Sequence, residues 1–261
     1  MAEYTNVKVV VEERVAVLTI DHPPANAFNK ATVLDLEAAF DEVAANDQVK
    51  VIVITGAGQF AFVAGADINE IAQIKTSEQA KELLLKGQAI FNKIEASPKP
   101  VLAAVNAVAL GGGLELAMAC HMRILSDRAR VGQPETNLGV IPGWGGTQRL
   151  ARLVGPGKAL ELILTGDIIN AQEAFRLGLA NKVVPAGQVL HETMGLAKKI
   201  ASKSGLATRA ALDAVINGLK MPLADGLLHE ADLFASLVGS HDFVEGPAAF
   251  LEKRQPKFTD S

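Results

Sequence analysis

The order of apolar and polar positions along the chain predicts alternating short strands and amphipathic helices. Two β-branched runs, residues 7–11 and 15–20, are separated by Glu12, Glu13 and Arg14 and predict a hairpin. Asp21-His22-Pro23-Pro24 ends the second strand, since proline fixes φ and donates no hydrogen bond. Val33, Leu34, Leu36, Phe40 and Val43 then recur at helical spacing, predicting a helix over residues 30–45. Residues 49–55 are almost uninterruptedly apolar, as expected of a strand covered on both faces, and Gly56 and Gly58 end it. A loop running to Ala66 leads to a short helical pattern, Ile68, Ile71 and Ile74. Thr76 with Gln79 forms a capping-box signature for a long helix to residue 95, whose buried face is expected to carry Leu83, Leu84, Ile90, Phe91 and Ile94.

Pro98 and Pro100 introduce a strand over residues 101–108. Further strands are expected at 122–125, 130–132 and 182–184, and helices at 147–153, 158–164 and 171–177. Beyond about residue 190 the pattern is helical only. The chain therefore belongs to the α/β class, with strand-strand-helix units over residues 1–201 and a helical region over residues 202–261. No residue-level repeat is visible.

Composition narrows the class of function. Apolar residues make up 49% and charged residues 21%, ordinary usage for a chain that buries a core. A net charge of −4 without a basic stripe argues against a nucleic-acid partner. Cys120 is the single cysteine, which favours a reducing compartment. The N-terminus lacks a basic stretch followed by an apolar one, and no run approaches about 18 apolar residues, so a cytoplasmic location without membrane contact is expected.

Candidate chemistry gathers between Asn106 and Leu150. Gly111-Gly112-Gly113 stands between a strand and a segment of good helix formers. Glycines there permit either a tight turn or the approach of a ligand to the unpaired N–H groups at the positive end of a helix. Glu115, in the first helical turn, is either a partner for the helix dipole or a proton-handling carboxylate beside those donors. Glu135, in Gly132-Gln133-Pro134-Glu135, reads alone as a surface residue. Paired with Glu115 under partial burial, it could split the two pKa values so that one group keeps its proton. Phe62-Val63-Ala64-Gly65-Ala66-Asp67 offers a second N–H donor, and oxyanion stabilisation generally uses two.

Other chemistries fit less well. Gly56-Ala57-Gly58-Gln59-Phe60-Ala61 matches a dinucleotide fingerprint but does not open directly into a helix, so no nicotinamide cofactor is expected. Cys120 and His121 are sequence neighbours and point apart. His22, His121, His191, His229 and His241 have no metal-ligand spacing, and no metal is expected.

Five stretches, in order, carry a resemblance: Pro24-Ala25-Asn26-Ala27-Phe28, Ala64-Gly65-Ala66-Asp67-Ile68, Val105 through Ala117, Gly132-Gln133-Pro134-Glu135, and Leu138 through Leu150. With Glu245-Gly246 and Glu252-Lys253-Arg254 near the C-terminus, the whole chain resembles the enoyl-CoA hydratases of the crotonase family. The resemblance implies a spiral of strand-strand-helix turns, with a C-terminal helical region that supports trimers, commonly paired into hexamers. It implies a thioester substrate of fatty-acid or related acyl-CoA degradation and no cofactor, coenzyme A being part of the substrate. The N–H groups of Ala66 and Gly112 would form the oxyanion hole. Glu115 would orient or deprotonate the water added across a 2-enoyl-CoA, and Glu135 would supply the proton to C2. Main-chain groups around Ala25 and Ala64 would hold the CoA moiety. Asp67, Ile68, Pro142 and Trp144 would line the substrate, and Phe250 and Lys253 would contribute from the C-terminal region, in one arrangement from a neighbouring subunit.

Three positions depart from the family pattern. Trp144 stands where many hydratases have a smaller residue, which would narrow or reshape the acyl pocket. His121 replaces a frequent aspartate, and Asn69 a frequent basic residue. The alternatives within the family are an isomerase or a hydratase specialised for a branched or aromatic-degradation thioester. The paired glutamates count against the isomerase, and the acidic charge balance counts against a non-catalytic RNA-binding member.

Overall fold

The structure, a computed structural model, describes residues 3–261. The hairpin forms as expected: β1 (Val7–Glu12) pairs antiparallel with β2 (Val15–Ile20), and Glu13 and Arg14 take positive φ in the turn. α1 (Lys30–Ala45) follows, capped by Asn29, whose side chain accepts from the Thr32 N–H. β3 (Val51–Gly56) lies parallel to β2 and is buried along its whole length.

From here the chain winds in turns that each supply one strand to a large sheet and the next to a small one. β3 leads into β4 (Ala61–Val63), then α2 (Ile68–Ala72) and α3 (Ser77–Glu95). β5 (Val101–Val105) leads into β6 (Val108–Leu110) and α4 (Gly112–Ala119). β7 (Met122–Ser126) leads into β8 (Arg130–Gly132), a 3₁₀ turn (Pro134–Leu138), α5 (Gly146–Val154) and α6 (Pro156–Thr165). β9 (Ile168–Asn170), α7 (Ala171–Arg176), β10 (Lys182–Val184) and α8 (Val189–Ala201) close the core. Among the described residues the large sheet runs β1-β2-β3-β5-β7-β10 and the small one β4-β6-β8-β9. Beyond the hairpin the large sheet is parallel. Parallel neighbours require crossovers, and the helices supply them.

The core has two faces. On one side of the large sheet Leu36, Phe40, Ile52, Ile54, Phe91 and Ile94 pack together. On the other, Val51, Val53, Leu102 and Ala104 meet Ala197 and Ala201 of α8. This two-sided covering explains why β3 and β5 read as continuous apolar runs.

The structure corrects several expectations. The strand expected over residues 101–108 is two strands in different sheets. Asn106 makes the break, its amide donating to the carbonyls of Gly58 and Ala61. The segment read as a loop to Ala66 contains β4, and β9 also escaped the pattern; three residues are too few to show alternation. Thr76 does cap α3, accepting from the Gln79 N–H at 3.2 Å, but Leu84 is 38% exposed and Leu83 only partly covered. The first half of α3 projects beyond the core, and only its second half buries Ile90, Phe91 and Ile94.

The C-terminal helices α9 (Gly205–Gly218), α10 (Leu223–Ser236) and α11 (His241–Leu251) differ in kind from the rest. Neither α9 nor α10 contains a fully buried residue, and they meet at Gly218 and Gly226. Leu219, Leu223, Leu228, Phe234, Phe250 and Leu251 are exposed. Asp260 ties the chain end to the core through Arg14, Lys50 and the Gly205 N–H. No helix of the described residues is long and apolar enough to cross a membrane.

Candidate active site

The first component is a pair of unpaired N–H groups. Phe28 and Ala66 form an isolated parallel bridge, in which the Phe28 N–H donates to the Gly65 carbonyl and the Asp67 N–H to the Phe28 carbonyl, both at 2.8 Å. That pattern spends the groups on either side of Ala66 and turns its own N–H away. Gly65 makes the loop possible with φ of 118°, in the region that favours glycine. On the facing segment Gly111 caps α4 at φ of 50°, its N–H donating to the Gly132 carbonyl. Gly112 is the first helical residue, so its N–H has no partner within the helix. Among the described residues neither the Ala66 nor the Gly112 N–H has an acceptor. Gly113 brings the two segments together, because α4 lies against the Val63 carbonyl at a distance that leaves no room for a Cβ.

The second component is the carboxylate pair. Glu115 is 2% exposed, and its Oε1 accepts from the N–H groups of Trp144 and Gly146, each at 2.7 Å. Gly146 opens α5, so the carboxylate occupies the positive end of a second helix. Burial pushes the Glu115 carboxyl up to about 7, with the Glu135 charge adding to the rise, while the two N–H donors and Arg149 oppose it. Glu135, on the 3₁₀ turn, is also raised by burial. Its Oε1 rests beside Gly111, and its Oε2 is buried without a hydrogen-bond partner among the described residues. Gln133 joins the two halves: fully buried, it donates from Nε2 to the Gly111 carbonyl at 3.3 Å. Burial thus raises both carboxyls, and their titration belongs to the pair.

A stability prediction follows from the sign of this shift. Between pH 4.5 and about 7 the folded state holds a proton on Glu115 that the unfolded state has released, so stability falls as pH rises through that window. The loss is on the order of 3 kcal/mol. Glu115→Gln removes it, so the melting temperature of the variant relative to the parent should climb between pH 5 and pH 8. A difference that stays flat with pH would show that Glu115 is not held protonated.

The third component is an apolar wall. Trp144 is 8% exposed and packs against Phe28 and Phe91, with ring centroids 5.7 and 5.5 Å away. A cavity of about 40 Å³ lies between the indole and Ala66, Phe28, Ile71, Leu83 and Gly87. A larger concavity of about 690 Å³, bordered by Asn92, Arg123, Arg149 and Lys220, contains neither carboxylate nor free N–H pair. Chemistry rather than volume therefore locates the site.

The remaining sequence-derived residues are distributed unevenly. The Ala25 carbonyl accepts from the Ala64 N–H at 3.1 Å, leaving the Ala25 N–H and the Ala64 carbonyl without partners among the described residues. Asp67 caps α2, its Oδ1 accepting from both the Asn69 N–H and the Asn69 side chain. Ile68 is exposed at the start of α2, and Pro142 is buried beside Gly146. Phe250 is 83% exposed and Lys253 is exposed after α11, so neither completes the site within this chain. His121 accepts from the Val101 N–H and donates to the Glu95 carbonyl, a structural role. Burial pushes the Cys120 thiol up to about 12, which makes it a poor nucleophile. Gln133 and the N–H groups of Trp144 and Gly146 were not singled out from sequence. Gly145-Gly146 before a helical pattern was the available signal, being the same device as Gly111-Gly112.

The chain is similar to known proteins over nearly its whole length. A family model described as enoyl-CoA hydratase/isomerase matches residues 11–261. A crotonyl-CoA hydratase of Syntrophomonas wolfei is 47% identical over 256 residues, covering 98% of each chain. A short-chain-enoyl-CoA hydratase of Clostridium acetobutylicum is 42% identical, covering 97% of each. The crystal structure of an enoyl-CoA hydratase from Bacillus anthracis superposes with a TM-score of 0.94 at 38% identity, covering 98% of this chain and all of that one.

Proposed function

The chain belongs to the enoyl-CoA hydratase/isomerase family, and from that membership we propose that its site adds water across the C2–C3 double bond of a 2-enoyl-CoA to give a 3-hydroxyacyl-CoA. The observation that carries this reading is the convergence of two carboxylates, the buried Glu115 and the half-buried Glu135, on the turn that presents the free Gly112 N–H.

The thioester oxygen accepts from the N–H groups of Ala66 and Gly112. As the water oxygen bonds to C3, the C2–C3 π electrons move toward C2 and the carbonyl becomes enolate-like. Two fixed donors then stabilise the transition state more than the ground state. Glu115 takes a proton from the water, and Glu135 delivers one to C2. The pair carries one proton before and after the turnover, exchanged between its members, so its titration belongs to the pair. The reactive arrangement has Glu115 ionised. Burial opposes that state, and the N–H groups of Trp144 and Gly146 favour it.

The unpaired Ala25 N–H and Ala64 carbonyl hold the CoA portion through the main chain. Residues 202–261 form an oligomerisation region that builds a trimer, or a hexamer of paired trimers, with Phe250 and Lys253 completing a neighbouring site. The apolar side chains exposed along α9 to α11 support this assembly, since patches of that kind mark interfaces. The lone buried Cys120 supports a cytoplasmic location. The test is direct: purified protein should bleach the enoyl-thioester absorbance of crotonyl-CoA and yield 3-hydroxybutyryl-CoA. Folded protein that leaves crotonyl-CoA unchanged would rule the reading out.

A further inference from the structure

The turn that holds Glu115 is itself held from the other side. The Gly143 carbonyl accepts from the Gln88 side chain at 2.8 Å, and the Trp144 carbonyl accepts from the Arg149 guanidinium at 3.0 Å. The Gly145 carbonyl accepts from the main-chain N–H groups of Gln148 and Arg149. In a planar trans peptide the carbonyl and the N–H point in opposite directions. The bond to Gly143 therefore fixes the Trp144 N–H, and the bonds to Gly145 fix the Gly146 N–H, the two groups that donate to Glu115 Oε1. Arg149 spans the peptide between them and is anchored in turn. Its Nε and Nη2 donate to Glu95 Oε2 at 3.2 and 2.8 Å, and Nη2 also donates to Asn92 Oδ1 at 2.6 Å. Gln88, Asn92 and Glu95 are spaced i, i+4, i+7 and share one face of α3. The guanidinium lies so close to Gly145, at φ of 111°, that a Cβ there would collide with Nη1. Arg149 is buried, whereas the Glu95 side chain is 43% exposed. An ion pair with so exposed a partner contributes only about 0–1 kcal/mol to stability. What the planar fork supplies is direction.

We infer that Arg149, steered by Glu95 and Asn92, is a positioning residue for Glu115: it fixes the turn over residues 143–146 so that two N–H groups stay aimed at the carboxylate that activates water. The inference rests on the hydratase reading and deepens it by tracing the support of its base back to α3. The charged groups that act on Glu115 are Glu135 from the 3₁₀ turn and Arg149 from α5, with Glu95 of α3 reaching it through Arg149. Arg149 therefore favours the ionised carboxylate twice, through its own charge and through the donors it aligns.

The experiment measures kcat, KM and the pH dependence of kcat for crotonyl-CoA in the parent, Arg149→Met and Gln88→Met, each with and without Glu115→Gln. Melting curves over about pH 5 to pH 9 accompany every variant. Arg149→Met should lower kcat about 10–100-fold with KM within about threefold, since a displacement of about 1 Å at a catalytic group can cost about 100-fold. The acid limb of its kcat profile should move to higher pH, because the base is harder to ionise. In the Glu115→Gln background the same substitution should change kcat by less than about threefold, a coupling that loss of packing alone would not produce. Gln88→Met removes one hydrogen bond at a half-buried position and should show the same pattern at about 3–10-fold. It carries the test if Arg149→Met does not fold. The melting curves read the same role without turnover. Glu115→Gln should gain on its background over a window that extends to higher pH when Arg149→Met is present, since the folded-state carboxyl is then raised further. A folded Arg149→Met with the parent's kcat and pH profile, or one that loses as much with Glu115→Gln as without it, overturns the inference and leaves the hydratase reading standing. A folded parent inactive on crotonyl-CoA overturns the hydratase reading, and the melting window then decides the positioning role by itself: an unchanged window overturns that as well.

Discussion

Glu115→Gln and Glu135→Gln should each lower kcat for crotonyl-CoA hydration by a factor of about 10²–10⁴. Glutamine retains the shape of the carboxylate and, at Glu115, an oxygen able to accept from the N–H groups of Trp144 and Gly146. What it removes is the capacity to take up or release a proton. KM should change little, because neither carboxylate holds the CoA portion and the N–H groups of Ala66 and Gly112 are untouched. The two residues share one proton and act on one water. The double variant should therefore be little worse than the weaker single variant, since groups that act as a unit are strongly non-additive. Steady-state rates with melting curves decide the matter. Full turnover in either folded variant would remove that carboxylate from the chemistry.

Gly113→Ala should be the most damaging small substitution in the chain. A Cβ there would lie 2.8 Å from the Val63 carbonyl carbon and 2.9 Å from the Val63 Cβ, with the carbonyl oxygen closer still. Backbone cannot rotate aside as a flexible side chain can, so α4 and the end of β4 must separate. Overpacking of this kind costs about 1–3 kcal/mol, and at this size each kcal/mol lowers Tm by about 2–4 °C. The same separation moves Gly112 away from Ala66, so kcat should fall together with Tm. Gly157→Ala is the control. Gly157 lies in the first turn of α6 with no atom near its would-be Cβ, and alanine there should be neutral or slightly stabilising. Equal effects at the two positions would remove the special role assigned to Gly113.

Features governed by near neighbours were legible in the residues. α1 runs over the residues its period marked, and Thr76 caps α3 through its side-chain oxygen. The continuous apolar runs of β3 and β5 marked strands covered on both faces. Features decided by distant partners were not. Ala61–Val63 and Ile168–Asn170 are strands only because β6 and β8 run beside them. Nothing local announces that the chain leaves one sheet for the other at Asn106, because the carbonyls that hold its amide belong to residues 45 or more positions away. Leu84 matches the helical period of Ile90 and Ile94, but nothing stands opposite it to bury it.

The same division holds for the site. The residues marked two glycine loops, at Gly65 and Gly111 to Gly113, and two carboxylates at Glu115 and Glu135, and the family resemblance they carry narrowed these to the N–H groups of Ala66 and Gly112 and added Trp144. Only the tertiary structure decided how they act. It placed Glu115 on the N–H groups of Trp144 and Gly146, about thirty residues downstream, and buried it deeply enough to hold its proton toward neutrality. It also seated the indole of Trp144 against Gly87. A residue's chemical kind is local, whereas its proton affinity and its reach depend on what is packed around it, and that is supplied by segments far away along the chain.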